Sequence, residues 1–229
     1  MDNLVIIGIG TNARHVFEFV NMYNLYNVIG FAVNENFLEK DEFCGLPVYP
    51  LEKLNVIDLG SFKVFIALLW NRLNRDRRDL FEYCDKMKYE FASIVSPHAI
   101  IRSSSSYGRN CWIHDFVVIQ NNSVVGDNVA IMAYSLIGAN THVGSHCFFG
   151  ARSLLGGGST IGEQSFVGLN ATIFDDTQIG DKCIIGACTA VKRNMPSFTK
   201  YITSSSDITV KQYSENEIES KLMFKKNQR

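Results

Sequence analysis

The strongest constraint in the sequence is an apolar residue at every sixth position, without interruption, from Val95 to Val191. From Ala99 onward, the residue two places before each of them is small or β-branched, and glycine follows ten of the seventeen. The seventeen positions are Val95, Ile101, Tyr107, Ile113, Ile119, Val125, Ile131, Ile137, Val143, Phe149, Leu155, Ile161, Val167, Ile173, Ile179, Ile185 and Val191. A period of six indicates a parallel β-helix, in which three hexapeptides form one triangular coil around an apolar interior. The 96 residues of this span correspond to about five coils of eighteen residues, and the glycines suggest tight turns with positive φ.

The first ninety residues lack this period and alternate between apolar runs and amphipathic stretches. We predict strands at Leu4–Ile7, Val28–Val33 and Val64–Leu69, and helices over Ala13–Asn24 and Asn71–Lys88. This alternation is typical of a small parallel sheet with helices, hence an α/β fold.

The sequence therefore predicts three segments. A small βαβ domain of Rossmann-like type is expected over residues 1–92, and a β-helix domain over residues 93–196. Asn194-Met195-Pro196 is interpreted as a stop signal. A C-terminal tail is expected over residues 197–229, with a short helix near Glu215 to Phe224.

Charge and composition exclude several classes of partner. The net charge of −1 leaves no basic field for a nucleic-acid backbone, and no apolar run approaches the length of a membrane span. The N-terminus lacks the features of a signal peptide. The six cysteines show neither a pairing pattern nor metal spacing, and Cys111, Cys147 and Cys183 recur every 36 residues in the small inward position of one wall. We therefore expect a cytoplasmic protein with reduced thiols and no metal site.

A glycine-rich loop follows the first predicted strand and precedes the first predicted helix. Gly8 and Gly10 let a backbone approach a ligand closely, and the N-terminus of a helix favours an anion. No acidic residue follows the second strand at the spacing typical of dinucleotide sites; Asn34 and Glu35 come nearest. A mononucleotide diphosphate is the better match, and a tight turn without ligand is the alternative.

Several motifs together resemble one known family. They are Ile7-Gly8-Ile9-Gly10, Gly30-Phe31, Gly45-Leu46-Pro47-Val48, Trp70-Asn71-Arg72-Leu73-Asn74-Arg75-Asp76-Arg77-Arg78, Phe166-Val167-Gly168-Leu169-Asn170-Ala171-Thr172-Ile173 and Ile185-Gly186-Ala187-Cys188-Thr189-Ala190-Val191. Over nearly its full length, the chain resembles the two-domain sugar acyltransferases of the sialic-acid O-acetyltransferase type, which include bacterial nucleotide-amino-sugar N-acetyltransferases.

The resemblance implies a left-handed β-helix and a homotrimer with clefts between neighbouring β-helices. It implies that acetyl-CoA lies in the groove between two subunits, and that a nucleotide-linked sugar binds between the N-terminal domain and the β-helix. The products of such enzymes enter surface glycans such as lipopolysaccharide.

The resemblance also assigns binding residues. On the nucleotide side they are Gly8, Gly10, Asn12, Ala13, Arg14, Asn34 and Glu35, although family members often have His where Asn12 stands and Asp near Asn34. On the CoA side they are the backbone amides of Gly168 and Ala187. Lys192 and Arg193 either meet the CoA phosphates or form a solvated exit from the β-helix.

The catalytic positions depart from the family pattern. The family's general base is a His in an Ile-Gly-His pattern, but this chain has Ile137-Gly138-Ala139-Asn140, and Phe148 stands where a second His often lies. In one hypothesis His142 replaces the base and Asn140 holds the acceptor; His146 and His114 lie further away. In a second, an amine acceptor needs no protein base. In a third, catalysis has been lost.

The sequence thus predicts an acetyl-CoA-dependent N-acetyltransferase for a nucleotide-linked amino-sugar. An O-acetyltransferase acting on a sugar or glycan hydroxyl is the alternative within the class, and a catalytically inactive trimeric binding protein is the alternative outside it. For the cluster of Arg72, Arg75, Arg77 and Arg78 we expect a solvated helix paired with Asp76 and Asp79. The alternative is that one of these arginines reaches the nucleotide.

Overall fold

The computed structural model describes residues 1–202, which form a small sheet with two helices followed by a parallel β-helix. The helix predicted near Glu215 to Phe224 lies outside these residues. The segment boundaries at residues 92 and 196 stay predictions.

The N-terminal sheet has five strands in the order β3-β4-β2-β1-β5, and only the β3–β4 pair is antiparallel. Its elements are β1 (Asn3–Ile7), α1 (Thr11–Met22), β2 (Asn27–Val33), β3 (Glu42–Phe43), β4 (Leu46–Pro50), β5 (Phe62–Ile66) and α2 (Arg75–Lys86), with single 3-10 turns at Glu35–Phe37 and Leu51–Lys53. The predicted βαβ alternation is therefore confirmed. Helix α2 begins later than its predicted start at Asn71, because Arg72, Leu73 and Asn74 all have positive φ and cannot continue a right-handed helix.

The β-helix consists of two-residue strands separated by sharp corners. In chain order they are β6 (Ile94–Val95), β7 (Ile100–Ile101), β8 (Ser106–Tyr107), β9 (Trp112–Ile113), β10 (Val118–Ile119), β11 (Val124–Val125), β12 (Ala130–Ile131), β13 (Leu136–Ile137), β14 (His142–Val143), β15 (Phe148–Phe149), β16 (Leu154–Leu155), β17 (Thr160–Ile161), β18 (Phe166–Val167), β19 (Thr172–Ile173), β20 (Gln178–Ile179), β21 (Ile184–Ile185), β22 (Ala190–Val191) and β23 (Lys200–Tyr201).

These strands build three parallel sheets, the walls of the prism. Wall A has seven strands (β6, β9, β12, β15, β18, β21 and β23), wall B has six (β7, β10, β13, β16, β19 and β22) and wall C has five (β8, β11, β14, β17 and β20). Each strand pairs with the strand eighteen residues further on, as Ile137 pairs with Leu155. We name the corners by the walls they join: A/B, B/C and C/A.

The predicted interior is confirmed along almost the whole period. From Ile113 to Val191, every sixth residue is at most 3% exposed. The first three positions are less buried, because β6, β7 and β8 are the first strands of their walls: Val95 and Ile101 are partly buried, and Tyr107 is 41% exposed. The Cys111, Cys147 and Cys183 side chains lie in the same interior, as expected, and all six cysteines are free.

The glycines after the core residues serve a different purpose from the expected one. They do not have positive φ; the left-handed residue of a corner comes two positions later and is often asparagine, as at Asn140 with φ 57°. A Cβ at Gly138 would lie 2.6 Å from the amide nitrogen of Gly157. Glycine is therefore required because neighbouring coils approach each other closely there.

The ladder of the β-helix continues past the predicted stop at Asn194-Met195-Pro196. Met195 follows Val191 by four residues, is 5% exposed and forms a bridge with Ile179 of wall C. Strand β23 then pairs with β21 and extends wall A. The proline thus lies in a shortened coil and does not end the structure.

Wall A packs against the N-terminal sheet and its first helix. Trp112, Ala130 and Phe148 point outward from this wall into the apolar cluster that contains Phe19 and Phe65. The Phe19 and Trp112 rings meet edge to face at 6.0 Å. In residues 1–202, no helix has the length and apolar character needed to cross a membrane.

Arg77 of α2 joins the two parts of the molecule from a buried position. Its guanidinium donates to the carbonyl oxygens of Ile66, Leu68 at 2.9 Å, Asn110 at 2.7 Å and Asn128 at 3.5 Å. Burial lowers the pKa of Arg77 to about 10, and the group stays charged at neutral pH.

The expectation of a solvated arginine cluster is therefore wrong for Arg77 and holds only in part for Arg78. Arg72 and Arg75 do pair with Asp76 and Asp79 at the surface. Arg77 is 2% exposed and faces the β-helix. Arg78 is half-buried: it pairs with Asp79 at 2.8 Å, as expected, and also donates to the Gln164 side chain at 2.6 Å. The sequence did not predict these contacts, because nothing in it distinguishes the arginines of α2 that face the C/A corner from those that face solvent.

The C/A corner continues this polar interface along the prism. Asn110 donates to Asn128 at 2.6 Å, and Asn128 in turn donates to Nδ1 of His146 at 2.9 Å. Asn74 donates to the His146 carbonyl at 2.7 Å. Burial, together with the Arg78 and Arg77 guanidinium groups, lowers the pKa of His146 to about 4. The His146 ring is thus a neutral acceptor near pH 7.

We predict that Arg77→Met destabilises the protein strongly, because up to four carbonyl groups lose their donor at a buried interface. The expected loss is about 3 kcal/mol or more in the free energy of unfolding, measured by urea denaturation. Arg75→Met on the same helix is the control and should change stability by less than about 0.5 kcal/mol, since its ion pair is exposed. Equal losses in the two variants would contradict the role of Arg77.

A second prediction concerns acid stability. The pKa of His146 is lower in the folded protein than its ordinary value near 6.5, so unfolding takes up a proton and stability falls as pH drops from about 6.5 to about 4. His146→Asn should flatten this part of the pH profile, because asparagine suits the left-handed corner and keeps an acceptor for Asn128. The measurement is the urea midpoint of both proteins from pH 7 to pH 4. Parallel profiles would contradict the assignment.

Candidate functional site

One cleft of about 530 Å³ opens at the carboxyl ends of β1, β2 and β5. Gly8 follows β1, Asn34 follows β2 and Leu68 follows β5, and all three line the cleft. Strand β1 lies between β2 and β5. Ligands of open parallel sheets bind at such a point, where successive connections leave to opposite sides of the sheet.

The glycine-rich loop leaves the N-terminus of α1 open. Gly8 has φ 124°, a conformation that disfavours any side chain, and Gly10 caps the helix without a side-chain hydrogen bond. The first turn of α1 contains no acidic residue. Its free N–H groups, which include those of Asn12 and Ala13, and its dipole therefore favour an anion such as a phosphate. Ala13 itself is buried.

The polar loop after β2 is held by a residue that the sequence analysis missed. The Glu52 carboxylate accepts hydrogen bonds from the Asn34 side chain and the Glu35 amide, both at 3.0 Å. Burial raises the pKa of Glu52, but these hydrogen bonds outweigh that effect and keep it below its usual value. Glu35 pairs with Lys53 at 2.6 Å. Glu52 thus fixes the backbone beside the cleft, where Glu35 remains exposed.

Other predicted nucleotide-side residues lie around the cleft without lining it. The Arg14 guanidinium is exposed and lies over the Phe43 ring at 5.2 Å. The opposite side of the cleft is formed by Arg72, Asp76 and Asp79. Arg72 forms an ion pair with Asp76, so the cleft carries both signs of charge.

A second cleft, of about 430 Å³, lies on wall A beside the A/B corner. Its lining residues are Trp70, His114, Met132, Ala133, Phe148, Gly150, Ala151, Phe166 and Leu169. The rings of Phe148 and Phe166 stack at 5.3 Å, and Trp70 meets Phe148 at 4.9 Å. Part of this cleft could have been found in the sequence, because the outward positions of wall A carry aromatic residues. That Trp70 lies against them could be seen only in the folded structure.

The A/B corner presents unpaired backbone donors at the edge of this apolar cleft. Within residues 1–202, the N–H groups of Ala133, Ala151 and Leu169 have no hydrogen-bond partner. At the other corners, side chains of the next coil cap several equivalent groups; Asp175 caps Gly157 at 2.7 Å. Alanine and leucine side chains cannot do this. The corner therefore offers a row of donors spaced by one coil, about 4.8 Å apart.

His114 is the imidazole of the apolar cleft. Its Nδ1 accepts the Asp115 N–H at 2.9 Å, so the neutral ring carries its proton on Nε2. Burial, opposed by the Asp115 carboxylate, holds the pKa of His114 below its usual value. The ring packs against Phe19 at 4.7 Å. Near pH 7 this histidine is suited to donate a hydrogen bond, and it is less suited to act as a base.

Two of the four predicted CoA-side residues, Gly168 and Ala187, lie along the same corner, whereas Lys192 and Arg193 follow wall B and lie at the B/C corner. Gly168 occupies the column of His114, Met132 and Gly150, and Ala187 occupies the column of Ala133, Ala151 and Leu169, one coil beyond it. A Cβ at Gly168 would lie 2.5 Å from the Ala187 nitrogen. Lys192 and Arg193 are exposed beyond β22, and the Lys192 ammonium lies 5.1 Å from the Phe174 ring centre.

The predicted catalytic residues lie on another edge of the prism. Asn140 is exposed at the B/C corner, where its side chain accepts from Asn122 at 3.2 Å. His142 is exposed on β14 of wall C. The Ala139 amide donates to Gln120 at 3.2 Å. Within one chain, the fold therefore does not bring Asn140 and His142 to the apolar cleft.

The loop between β5 and α2 connects the two clefts. Trp70 lines the apolar cleft, whereas Arg72 lines the cleft of the N-terminal sheet. Arg72, Leu73 and Asn74 are three consecutive left-handed residues, an arrangement that costs free energy and persists only when surrounding contacts enforce it. The buried Asn74 side chain supplies one such contact through the His146 carbonyl. In the described part of the chain, no three His, Cys, Asp or Glu residues group as metal ligands.

Comparisons with known proteins agree with this architecture. The family model of the bacterial transferase hexapeptide (six repeats) matches residues 108–139 and 122–157, and that of the hexapeptide repeat of succinyl-transferase matches residues 158–193. No curated protein matches the chain significantly.

Among solved structures, similarity extends over both parts of the molecule. Perosamine N-acetyltransferase from Caulobacter crescentus, solved as a mutant in complex with CoA and GDP-perosamine, is 24% identical with a TM-score of 0.78, over 87% of this chain and 93% of that one. The acetyltransferase domain of PglB from Neisseria gonorrhoeae is 21% identical with a TM-score of 0.75, over 87% and 96%. WeeI from Acinetobacter baumannii is 15% identical with a TM-score of 0.68, over 87% and 96%.

These identities establish the fold. Residues 108–157 match hexapeptide repeats of the bacterial transferase type and residues 158–193 match that of succinyl-transferase, and the predicted fold, a small α/β domain followed by a left-handed β-helix, is confirmed.

Proposed function

We propose that this protein is an acetyl-CoA-dependent N-acetyltransferase that acts on a nucleotide-linked amino-sugar. The observation that carries the proposal is the pair of clefts joined by the Trp70–Arg72 loop, one suited to a nucleotide and the other to an acyl thioester. Among proteins of the same fold, one was solved with CoA and GDP-perosamine and another with acetyl coenzyme A.

In this proposal the N-terminal cleft binds the nucleotide. The open N-terminus of α1 holds the diphosphate, and the backbone of Gly8 and Gly10 allows its close approach. The loop fixed by Glu52 places Asn34 and Glu35 beside the base or ribose. Asn12 and Arg14 lie at the rim.

The A/B corner is the proposed groove for CoA. An extended pantetheine arm contains amide carbonyls, and the free N–H groups of Ala133, Ala151 and Leu169 supply donors for such carbonyls along one line. Ala187 continues that line one coil further. The Gly168 N–H already donates to the Ile185 carbonyl at 2.8 Å, so the role of Gly168 is to let the ligand approach the backbone closely. At the end of the prism, Lys192, Arg193 or both then bind the phosphate groups of CoA.

The reaction suits an amine acceptor better than a hydroxyl. Ala139 offers no proton acceptor, and the pKa values of His114 and His146 are both lowered by burial. A free amine attacks the thioester carbonyl without a base; the C–N bond forms, the C–S bond breaks, and the departing thiolate or water takes the proton. The chain's contribution is then to position the reactants and to donate hydrogen bonds to the developing oxyanion.

A homotrimer would complete this site. The apolar cleft and the B/C corner lie on different edges of one prism, so Asn140 and His142 can face an apolar cleft only across a subunit boundary. Wall B supports such packing, because its outward residues include Ile100 and Leu154, which are 49% and 39% exposed. We propose that the product serves a surface glycan such as lipopolysaccharide, and that the reaction takes place in the cytoplasm, where CoA thioesters are made.

Two specific observations favour other functions. The exposed imidazole of His142 is free to serve as base for a hydroxyl, which favours an O-acetyltransferase if it faces the groove of a neighbouring subunit. The absence of an imidazole at both Ala139 and Phe148 favours a non-catalytic trimeric binding protein.

A thiol-release assay separates the three functions. The full chain is incubated with acetyl-CoA and a panel of nucleotide-linked sugars that carry an amine or only hydroxyls. We expect thiol release with an amine acceptor. Release with hydroxyl acceptors alone would show O-acetylation, and CoA binding without release on any acceptor would support the binding protein.

We further predict that His142→Ala keeps at least about a tenth of the N-acetylation rate, because a free amine does not need this imidazole. A loss of about a thousandfold, within the range attributed to general bases, would instead make His142 the base. The rate is measured at saturating acetyl-CoA across pH 6 to 9. Val124→Ala, at the neighbouring outward position of wall C, controls for changes in the exposed face.

A further inference from the structure

The apolar cleft at the A/B corner is larger than an acetyl group requires. Its volume is about 430 Å³. An acetyl group contributes only three heavy atoms and would leave most of this open cleft unfilled.

The lining of this cleft is polar at its edge and apolar in its interior. At the edge lie the free N–H groups of Ala133, Ala151 and Leu169. Behind them the surface is formed by the stacked Phe148 and Phe166 rings, together with the Met132 side chain. The polar side-chain groups of the lining are the His114 imidazole and the Trp70 indole. A ligand that matches this surface has one carbonyl at the edge and an apolar continuation.

A sugar ring matches the interior of the cleft less well. Each buried hydroxyl without a hydrogen-bond partner costs free energy, and the cleft offers few partners. A linear hydrocarbon chain has no such groups, and it gains from every methylene group removed from water.

We propose that this cleft binds the acyl chain of the donor, so that linear acyl chains of about four to six carbons are accepted in addition to acetyl and are bound more tightly. The inference rests on the proposed CoA-dependent acyl transfer and extends it to the donor. The reaction stays balanced: the acceptor nitrogen bonds to the acyl carbonyl carbon, the C–S bond breaks, and the amine proton leaves with CoA as its thiol. The carbonyl lies at the free N–H groups of the corner, and the chain extends under Trp70.

The test measures the binding of free CoA, acetyl-CoA, butyryl-CoA and hexanoyl-CoA to the full chain by isothermal titration calorimetry, without an acceptor. Burial of a methylene group is worth about fourfold in affinity. Because burial need not be complete, we expect hexanoyl-CoA to bind at least tenfold more tightly than acetyl-CoA. Butyryl-CoA should lie between them.

Two matched substitutions test whether the acyl chain of the donor lies in this cleft. Ala151 is half-buried in the cleft, and a phenyl group there would fill it; Ser61 is exposed before β5 in the N-terminal sheet and lines neither cleft. In Ala151→Phe the ratio of hexanoyl-CoA to acetyl-CoA affinity should fall to about one. In Ser61→Phe the ratio should match that of the unmodified protein. The thermal midpoint of each variant verifies that it is folded.

The outcomes separate the two proposals. Equal binding of acetyl-CoA and hexanoyl-CoA would overturn the acyl-chain site and leave the proposed acetyltransferase intact. A tenfold preference that persists in Ala151→Phe would place the chain elsewhere and also overturn the assignment of this cleft. If free CoA and all its thioesters failed to bind, the proposed function itself would fall.

Discussion

The stacking of coils at a fixed interval of eighteen residues is the constraint on which the rest of this molecule depends. Each strand pairs in register with the strand one coil further on, as Phe148 does with Phe166. Residues at equivalent positions therefore lie about 4.8 Å apart and form columns along the prism. A column with one kind of side chain becomes a continuous surface, so the chemistry of a wall or corner follows from which residue types repeat there.

Because equivalent positions form columns, the corners of the prism differ in the side chains that they present. The C/A corner repeats polar side chains, including Asn110, Asn128 and Gln164, and these receive helix α2. The A/B corner repeats Ala133 and Ala151, whose side chains cannot cap the backbone of the preceding coil. The C/A corner thus holds helix α2 of the N-terminal part, whereas the A/B corner leaves its N–H groups available to a ligand.

The hexapeptide period was sufficient to predict the interior of the β-helix, because burial on three walls imposes one apolar residue per wall. It also placed Cys111, Cys147 and Cys183 in one inward column. It did not predict the continuation of wall A through β23, since the shortened coil around Met195 breaks the count while preserving the packing.

Contacts between the two parts of the chain were beyond the reach of local patterns. Arg77 carries the same side chain as the exposed Arg75 and the half-buried Arg78, and only the docking of α2 onto the prism separates their environments. Glu52 and Asn34 are likewise eighteen residues apart in a part of the chain without a period. The same limit applies to the apolar cleft, because Trp70 reaches it through a loop whose left-handed residues no propensity would favour.

Phe148 connects the chemistry of the candidate site with its packing. An imidazole at this position of the apolar cleft would share the burial that already lowers the pKa of His114. A phenyl ring instead stacks on Phe166 and enlarges the apolar surface under Trp70. In the proposed reaction, the site thus lacks an imidazole that could accept a proton, and it gains apolar surface that binds the reactants. Such an exchange is useful only for an acceptor that is nucleophilic without a base, and whose rate depends on being held against the thioester. The aromatic cleft and the missing imidazole at Ala139 are then two consequences of the same preference for an amine.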